Sequence, residues 1–263
     1  MTVVLLRTLR DLRRGLIGWT LGVVSLVAVM AWVWPSMQDI PDLDALLANY
    51  PEPMRELFNI DAFSTGAGFF NAELFSFMVP ILFAIFGISR GARLLAGQEE
   101  AGHLEVTLAQ PVPRWRVLAG HALALAAAMT VLGTALLASL AVANVVVDVG
   151  LGFADMTAAS VSMVLFGIEF GLIALAVGAA TGRRGLAMAV ASVAAIAAYL
   201  LYALSKLVDP LDGWEVISPV QHALRDGPLG TGWSPGSLLA MAAVALSVTL
   251  LAMPLLHRRD IHG

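Results

Sequence analysis

The chain has 263 residues, of which 59% are hydrophobic and 13% charged, with a formal net charge of −4 and no cysteine. Soluble domains contain about 45–50% apolar and about 25% charged residues, so this composition indicates a membrane protein. The lack of cysteine excludes disulfides, thiol catalysis and cysteine-ligated metal sites, and the basic residues are not gathered on a soluble domain that would bind nucleic acid.

The N-terminal segment, residues 1–14, carries a helical stripe of Leu5, Leu9 and Leu12 with arginines largely off that stripe. A basic helix with one apolar face can lie in the membrane interface while its arginine side chains extend to the lipid headgroups. We therefore expect an amphipathic interfacial helix here. The alternative is an ordinary basic flank that only sets the topology of the first span.

Six apolar runs follow, each near or above the roughly 20 residues that a helix needs to cross a bilayer. They lie at residues 15–34, 69–88, 117–147, 156–180, 186–208 and 237–256. The first run is no cleaved signal peptide, because it is too long, lacks a small-residue cleavage site and precedes five more spans. The sequence predicts an all-α integral membrane protein with a single transmembrane domain over residues 1–263.

The distribution of basic residues predicts how the spans are oriented. If the N-terminus is cytoplasmic, only Arg55, Lys206 and Arg225 fall outside, and the other twelve basic residues fall inside. Loops on the cytoplasmic side of a membrane carry an excess of lysine and arginine. We therefore expect six transmembrane helices with both the N-terminus and the C-terminus in the cytoplasm.

The longest predicted cytoplasmic loop, residues 89–116, holds much of the charge of the chain. Its central stretch, Leu94–Trp115, has the sequence LLAGQEEAGHLEVTLAQPVPRW. Residues Glu99–Gln110 favour a helix, and Pro111 and Pro113 would end it because proline lacks the backbone N–H and restricts the residue before it. The loop is therefore expected to contain one short cytoplasmic helix.

On that helix Glu100, Leu104 and Leu108 share one face at four-residue spacing, with Glu99 and His103 on a neighbouring stripe. A short helix with acidic residues in its first turn and an apolar face is suited to a groove on a partner protein. The alternative is a solvated connector, because charge is common in loops of any kind.

The same loop resembles the cytoplasmic loop of ABC-2-type exporter permeases. Their pattern runs approximately G-x-E-E-x-G-T-L-E-x-L-L-A-x-P-V-S-R, and this chain has G-Q-E-E-A-G-H-L-E-V-T-L-A-Q-P-V-P-R. His103 and Pro113 replace the usual threonine and serine. Six spans, an S-P-V-Q-H segment at Ser218–His222 and an R-R-D-I segment at 258–261 extend the resemblance over most of the chain. The matching loop residues are Gly97, Glu99, Glu100, Gly102, Leu104, Glu105, Leu108, Ala109, Pro111, Val112 and Arg114.

The resemblance implies that this loop contains a coupling helix that binds a separate nucleotide-binding ATPase subunit. It also implies a second permease copy, most simply an identical one in a homodimer, within the lipid of a bacterial cytoplasmic (inner) membrane. The implied function is export of an amphipathic substrate, such as a drug in multidrug efflux, an antibiotic or a lipid. The residues implied in partner binding are Gly97, Glu99, Glu100, Gly102, His103, Leu104, Glu105 and Leu108.

The chain lacks the means to hydrolyse ATP by itself. A P-loop needs the pattern G-x-x-x-x-G-K-[ST], and the single lysine, Lys206, follows Ser205 at the predicted outer membrane edge. We therefore expect no catalytic residue, no cofactor and no metal site in this chain. ATP and Mg²⁺ are expected in the partner ATPase subunit.

Glu169 lies near the middle of the fourth predicted span, between Gly167 and Gly171. A carboxylate at the centre of a membrane costs about 2.5–3.5 kcal/mol on insertion scales, so it should be protonated, paired or facing a cavity. Glu169 is therefore a candidate for the substrate path, or else a hydrogen-bonding group between helices. The G-x-x-x-G pair here lets a neighbouring helix come close, and the pairs at Gly18/Gly22, Gly87/Gly91 and Gly178/Gly182 together predict tight helix packing or a dimer seam.

Two other functions fit a six-span protein. Similar permeases serve the maturation of extracytoplasmic metalloproteins, which would show as a metalloenzyme defect without a change in drug tolerance. A stand-alone secondary transporter or channel would need a polar path through several spans, and beyond Glu169 the spans provide few polar groups.

Overall fold

The fold is a bundle of helices. The computed structural model describes residues 2–38, 40, 47, 49–52, 54–55, 62–102, 113–225 and 227–257. Within these ranges the chain forms helices and turns and no strand. Six helices are long and apolar enough to cross a membrane, which confirms the prediction of an all-α protein with six spans.

Within the described residues, ten α-helices, one π-helix and two short 3₁₀-helices (Asp209–Leu211 and Trp214–Ile217) make up these spans and their connections. The second span combines α2, the π-helix and α3, and the other five spans are α1, α5, α6, α7 and α10. In chain order the elements are α1 (Thr2–Gln38), α2 (Gly66–Phe70), the π-helix (Asn71–Met78), α3 (Val79–Leu94), α4 (Ala96–Glu100), α5 (Arg114–Val146), α6 (Phe153–Thr181), α7 (Arg184–Leu207), α8 (Pro219–Leu224), α9 (Pro228–Thr231) and α10 (Pro235–His257).

Helix α1 is continuous through the boundary expected between residues 14 and 15. Residues 2–14 therefore continue into the first span without a break, and the location of residues 1–14 in the membrane interface stays a prediction. Only Gly15 and Gly18 weaken the helix there, and one glycine costs about 1 kcal/mol, too little to end it. At 1.5 Å per residue, 37 residues reach about 55 Å, well beyond a hydrocarbon core of about 30 Å.

The other predicted span limits agree with the helix ends to within six residues. The largest difference is at the end of the second span, where the helix continues past Ile88 to Leu94. Leu94, Leu95 and Ala96 are all buried, so the apolar packing that holds this helix extends beyond the predicted membrane edge.

Helix α6 is the centre of the bundle and packs against α3, α5, α7 and α10. Its closest approach is to α3, where Gly87 and Gly91 lie against the backbone of Gly167 and Gly171. A Cβ atom at Gly87 or Gly91 would overlap the carbonyl oxygen of the facing glycine. These G-x-x-x-G pairs therefore join two helices of one chain and do not form the dimer seam that was their alternative interpretation.

The segment between the fifth and sixth spans folds back into the bundle. The Ser218 hydroxyl donates to the carbonyl of Ala198 at 2.7 Å, and Asn71 Oδ1 accepts a hydrogen bond from the backbone N–H of Leu229 at 3.0 Å. Ala198 lies nine residues before the end of α7 at Leu207, which is about 14 Å along the helix axis. Helices α8 and α9 thus form a re-entrant hairpin, held at both ends by buried hydrogen bonds.

Candidate functional site

Three contacts between distant residues place the arginine-rich helix ends together. Gly15 of α1 packs against the Arg90 guanidinium, and Arg114 Nη1 donates to the carbonyl of Leu256 at 2.9 Å. The backbone N–H of Arg184 donates to Glu100 Oε1 at 2.8 Å. The starts of α5 and α7, the ends of α3 and α10, and the N-terminal part of α1 therefore meet at one end of the bundle, which we call the arginine end.

The loop helix at the arginine end, α4, differs from the predicted helix over Glu99–Gln110. It begins at Ala96 and ends at Glu100, because Gly102 adopts a left-handed conformation (φ +69°) and its N–H bonds to the carbonyl of Glu99 at 2.9 Å. A left-handed glycine at this position is a common helix stop. The predicted face through Glu100, Leu104 and Leu108 extends into residues outside the described part of the chain, so it stays a prediction.

Half of the predicted partner-binding residues can be placed. Gly97, Glu99 and Glu100 belong to α4, and Gly102 is in the turn that follows it. The other four, His103, Leu104, Glu105 and Leu108, lie outside the described residues, so their role in partner binding stays a prediction.

Helix α4 is wedged between the end of α6 and the beginning of α7. A Cβ atom added at Gly97 would lie 3.5 Å from Arg184 Cδ, and one added at Gly178 would lie 3.3 Å from Ala96 Cβ. The carboxylate of Glu100 adds a hydrogen bond to the first turn of α7, where the helix dipole favours negative charge. Glu100 therefore connects the loop to α7 within the same chain, a contact that the sequence pattern did not predict.

An apolar cleft of about 430 Å³ lies between α3 and α7. Ile81 and Ile85 of α3 form one wall and Ile196 of α7 belongs to the other, while Phe166 of α6 and Val220 of α8 also line it. The polar side chains on its surface are few. They are Ser89, Ser192 and Tyr199.

The π-helix in the second span shapes the end of the cleft that lies away from the arginine end. Pro80 lacks a backbone N–H, and its ring excludes the regular α-helical carbonyl position four residues before it. In the preceding turns the backbone hydrogen bonds span five residues instead of four, so that the N–H of Val79 bonds to the carbonyl of Leu74. This widened segment places Phe77 at the cleft surface, where its ring meets Tyr199 edge-to-face at 5.8 Å between centroids.

Glu169 lies in the middle of α6 and is only 1% exposed. Two residues beyond Gly167, it lies on the side of α6 away from the glycine contact with α3, because successive helix residues are about 100° apart. It is not among the residues that line the α3–α7 cleft. Its Oε2 atom has no hydrogen-bond partner in the described part of the chain.

Sequence reasoning missed two residues that fix the re-entrant hairpin. Asn71 is 4% exposed, and its Oδ1 accepts the hydrogen bond from the N–H of Leu229. Ser218 is 1% exposed, and besides its bond to Ala198 its hydroxyl accepts a hydrogen bond from the N–H of Val220. The Ser-Pro pair at 218–219 is a recognisable helix start, but its partner in another helix leaves no mark on the sequence.

Comparison with known families decides what kind of membrane protein this is. A family model described as an ABC-2 family transporter protein matches residues 2–226. The chain belongs to the ABC-2 transporter family. A search of curated proteins finds no match. The matched range includes α3, α4 and α7, so this ABC-2 protein has both cleft walls and the described part of the loop within the family portion.

Membership confirms the predicted ABC-2 resemblance and a multi-pass membrane location. An ABC-2 family permease also implies, in general, an ABC ATPase as partner. Family membership, a multi-pass membrane location and an ATPase partner in general all concern the class of protein. The substrate, the direction of transport and the residues that contact the partner are questions of function.

Proposed function

We propose that this ABC-2 protein is the membrane-spanning permease subunit of an ATP-driven exporter that moves an amphipathic substrate outward. ATP, with Mg²⁺, is hydrolysed in a separate nucleotide-binding subunit that binds at the arginine end. That end faces the cytoplasm in this proposal, which agrees with the excess of arginine there, and the membrane is a bacterial inner membrane. The observation that carries the proposal is the cleft between α3 and α7, whose two walls are connected through α4.

The chemistry of the cleft supports a largely apolar substrate with a few polar groups. Ligand pockets of drug-like molecules typically measure about 300–1,000 Å³ and combine apolar walls with a small number of polar side chains. The cleft has this size, and Ser89, Ser192 and Tyr199 offer hydroxyl groups on otherwise apolar walls. A drug, an antibiotic or a lipid fits this description.

The contacts of α4 suggest how an ATPase would act on the cleft. Helix α4 follows α3 after a single residue, Leu95, and its Glu100 is bonded to the first turn of α7. A partner that displaces α4 would therefore move the arginine ends of both cleft walls together. In this proposal Glu100 transmits the movement within the chain, and the loop beyond Gly102 contacts the partner.

A second copy of the chain completes the proposed pathway. Helix α7 has large exposed apolar side chains beside the cleft, including Val193 at 66% and Ile196 at 59%. Two copies facing each other across α3 and α7 would cover these side chains and enclose the two clefts in one chamber. The proposal is therefore a homodimer of permeases with two ATPase subunits.

The test is purification of the chain in mild detergent from its own membrane, followed by transport assays on the isolated complex. We expect a stoichiometric P-loop ATPase and ATP-dependent movement of a lipophilic fluorescent dye in proteoliposomes. Glu100→Ala should leave the ATPase bound but reduce dye transport about tenfold per ATP hydrolysed, since a hydrogen bond of this type contributes about 0.5–2 kcal/mol. Glu100→Gln, which keeps an acceptor oxygen, is the matched control.

Other outcomes would replace this function. If no ATPase accompanies the chain in any of several detergents, a secondary transporter or channel becomes the better interpretation. If the ATPase is present but deletion causes a metalloenzyme defect and no change in drug tolerance, the chain serves metalloprotein maturation. Full coupling in Glu100→Ala would show that α4 acts on the cleft by another route.

A further inference from the structure

One arginine at the arginine end lies in an unusual position between two spans. The guanidinium of Arg90, near the end of α3, packs against Gly15 of α1, and a Cβ atom at position 15 would overlap it. Arg90 Cζ lies 5.5 Å from the ring centroid of Phe86, and that ring meets Trp19 edge-to-face at 5.7 Å. The glycine and the two aromatic rings together form a slot for this one cationic group.

The arginine in this slot lacks a hydrogen-bond acceptor for its Nε atom among the described residues. Arg90 Nε is buried and donates to no acceptor in the part of the chain that the structure describes. Arg93, one turn along α3, places a second positive charge near Arg90, and Arg13 and Arg14 precede Gly15 in the sequence of α1. A partly buried cation among other cations requires an anion, because desolvated charges are stable only when they are paired.

A membrane supplies one anion at this depth. Headgroup phosphates lie at the ends of the spans, guanidinium groups bind phosphate through paired hydrogen bonds, and basic pockets between transmembrane helices bind anionic headgroups. We propose that the slot between α1 and α3 at Arg90 binds the phosphate of an anionic membrane lipid. Phe86 is fully buried and Trp19 is partly exposed, so the acyl chains of this lipid would pass along Trp19 on the bilayer side of the slot.

The chain offers a matched control for this proposal. Arg116, at the start of α5, also stacks over an aromatic ring, with its Cζ 5.3 Å from the centroid of Trp115. Unlike Arg90, Arg116 is exposed, so water can solvate its charge fully. Both arginines pair with an aromatic ring and lie at the same end of the bundle. They differ because Arg90 is partly buried against a second helix and Arg116 is not.

The experiment is native mass spectrometry of the full chain purified in phosphatidylglycerol or in phosphatidylcholine, with lipids counted after a fixed detergent wash. We expect phosphatidylglycerol to be retained on the unaltered chain in preference to phosphatidylcholine. Arg90→Gln should reduce this retention about tenfold, the loss expected for one charge-assisted hydrogen-bonded pair, and Arg116→Gln should leave it unchanged. Arg90→Lys, which keeps the charge but not the paired geometry, should fall between them.

Several results would overturn the proposal. These are equal retention of the two lipids by the unaltered chain, an equal loss in Arg116→Gln, and release of the lipid by inorganic phosphate with no preference for phosphatidylglycerol. The lipid comparison on the unaltered chain needs no variant to fold.

Discussion

The second span packs tightly against the bundle on one face and borders an open cleft on another. On one side of α3, Gly87 and Gly91 bring its backbone against the backbone of α6 with no room for a methyl group. On another side, Ile81 and Ile85 face α7 across a cleft of about 430 Å³. The same helix is therefore fixed to the centre of the bundle and separated from its other neighbour. The difference indicates that α3 and α6 move as one unit and that any change of cleft width comes from α7.

Substitution in the glycine contact should have the largest effect. Gly91→Leu would drive a side chain into the carbonyl of Gly171, and overpacking typically costs about 1–3 kcal/mol even where flexible side chains can yield. We expect loss of most of the folded protein, measured as monodisperse material by fluorescence-detected size exclusion. Gly18→Leu is the control, because nothing lies within 4 Å of a Cβ added at Gly18. Similar yields of the two variants would contradict the rigid α3–α6 unit.

Filling the cleft should affect ligand binding and leave the fold intact. Ile196→Trp places a larger ring on the cleft wall, so we expect the dissociation constant of a lipophilic dye, measured by fluorescence titration, to rise about tenfold, or about 1.4 kcal/mol. Leu239→Trp, at an exposed position of α10 that does not line the cleft, should bind the dye normally. Equal weakening by both variants would mean that the dye binds outside the cleft.

Loss of the Asn71 contact should loosen the re-entrant hairpin. The loss of stability should be smaller than that caused by Gly91→Leu. Asn71→Leu leaves the buried N–H of Leu229 without its acceptor, which costs about 1–3 kcal/mol. We expect a lower melting temperature and faster proteolysis within the re-entrant hairpin. Asn71→Asp keeps an acceptor oxygen and should retain more stability. Equal melting temperatures in Asn71→Leu and the unaltered chain would exclude this hydrogen bond as the anchor of the hairpin.

Substitution of Glu169 should have the smallest effect of the series. Glu169→Gln preserves shape, so we expect the melting temperature to shift by less than the equivalent of about 1.5 kcal/mol. Dye affinity should be unchanged, because Glu169 does not line the cleft. A fall in affinity as large as that of Ile196→Trp would support the substrate-path hypothesis, and unchanged transport would favour a packing role.

The sequence was sufficient for features that depend on local composition. Apolar runs located six spans because the bilayer imposes one length on all of them. The acidic loop pattern predicted the family, which the family comparison confirms. The glycine pairs at 87 and 91 and at 167 and 171 predicted tight packing, but periodicity does not tell a contact within the chain from one between copies.

Features that depend on contacts between distant residues were not predictable. Asn71 and Leu229 are 158 residues apart, and Glu100 and Arg184 are 84 apart, so neither pairing leaves a local pattern. The helix over Glu99–Gln110 was placed by propensity alone, which gave no weight to the left-handed conformation that Gly102 adopts. The interfacial location predicted for residues 1–14 rests on an amphipathic pattern, and that pattern does not say whether the helix continues into the first span.

The π-helix has a consequence for how variants of the second span should be designed. A helical wheel assumes 3.6 residues per turn throughout, and Asn71–Met78 departs from that value. A wheel extended upward from Gly87 therefore assigns Phe69 and Phe70 to the wrong azimuth, although both are buried in the core. Variants before the π-helix should therefore be chosen from the observed burial of each residue, and a wheel based on α3 should be used only for residues after Met78.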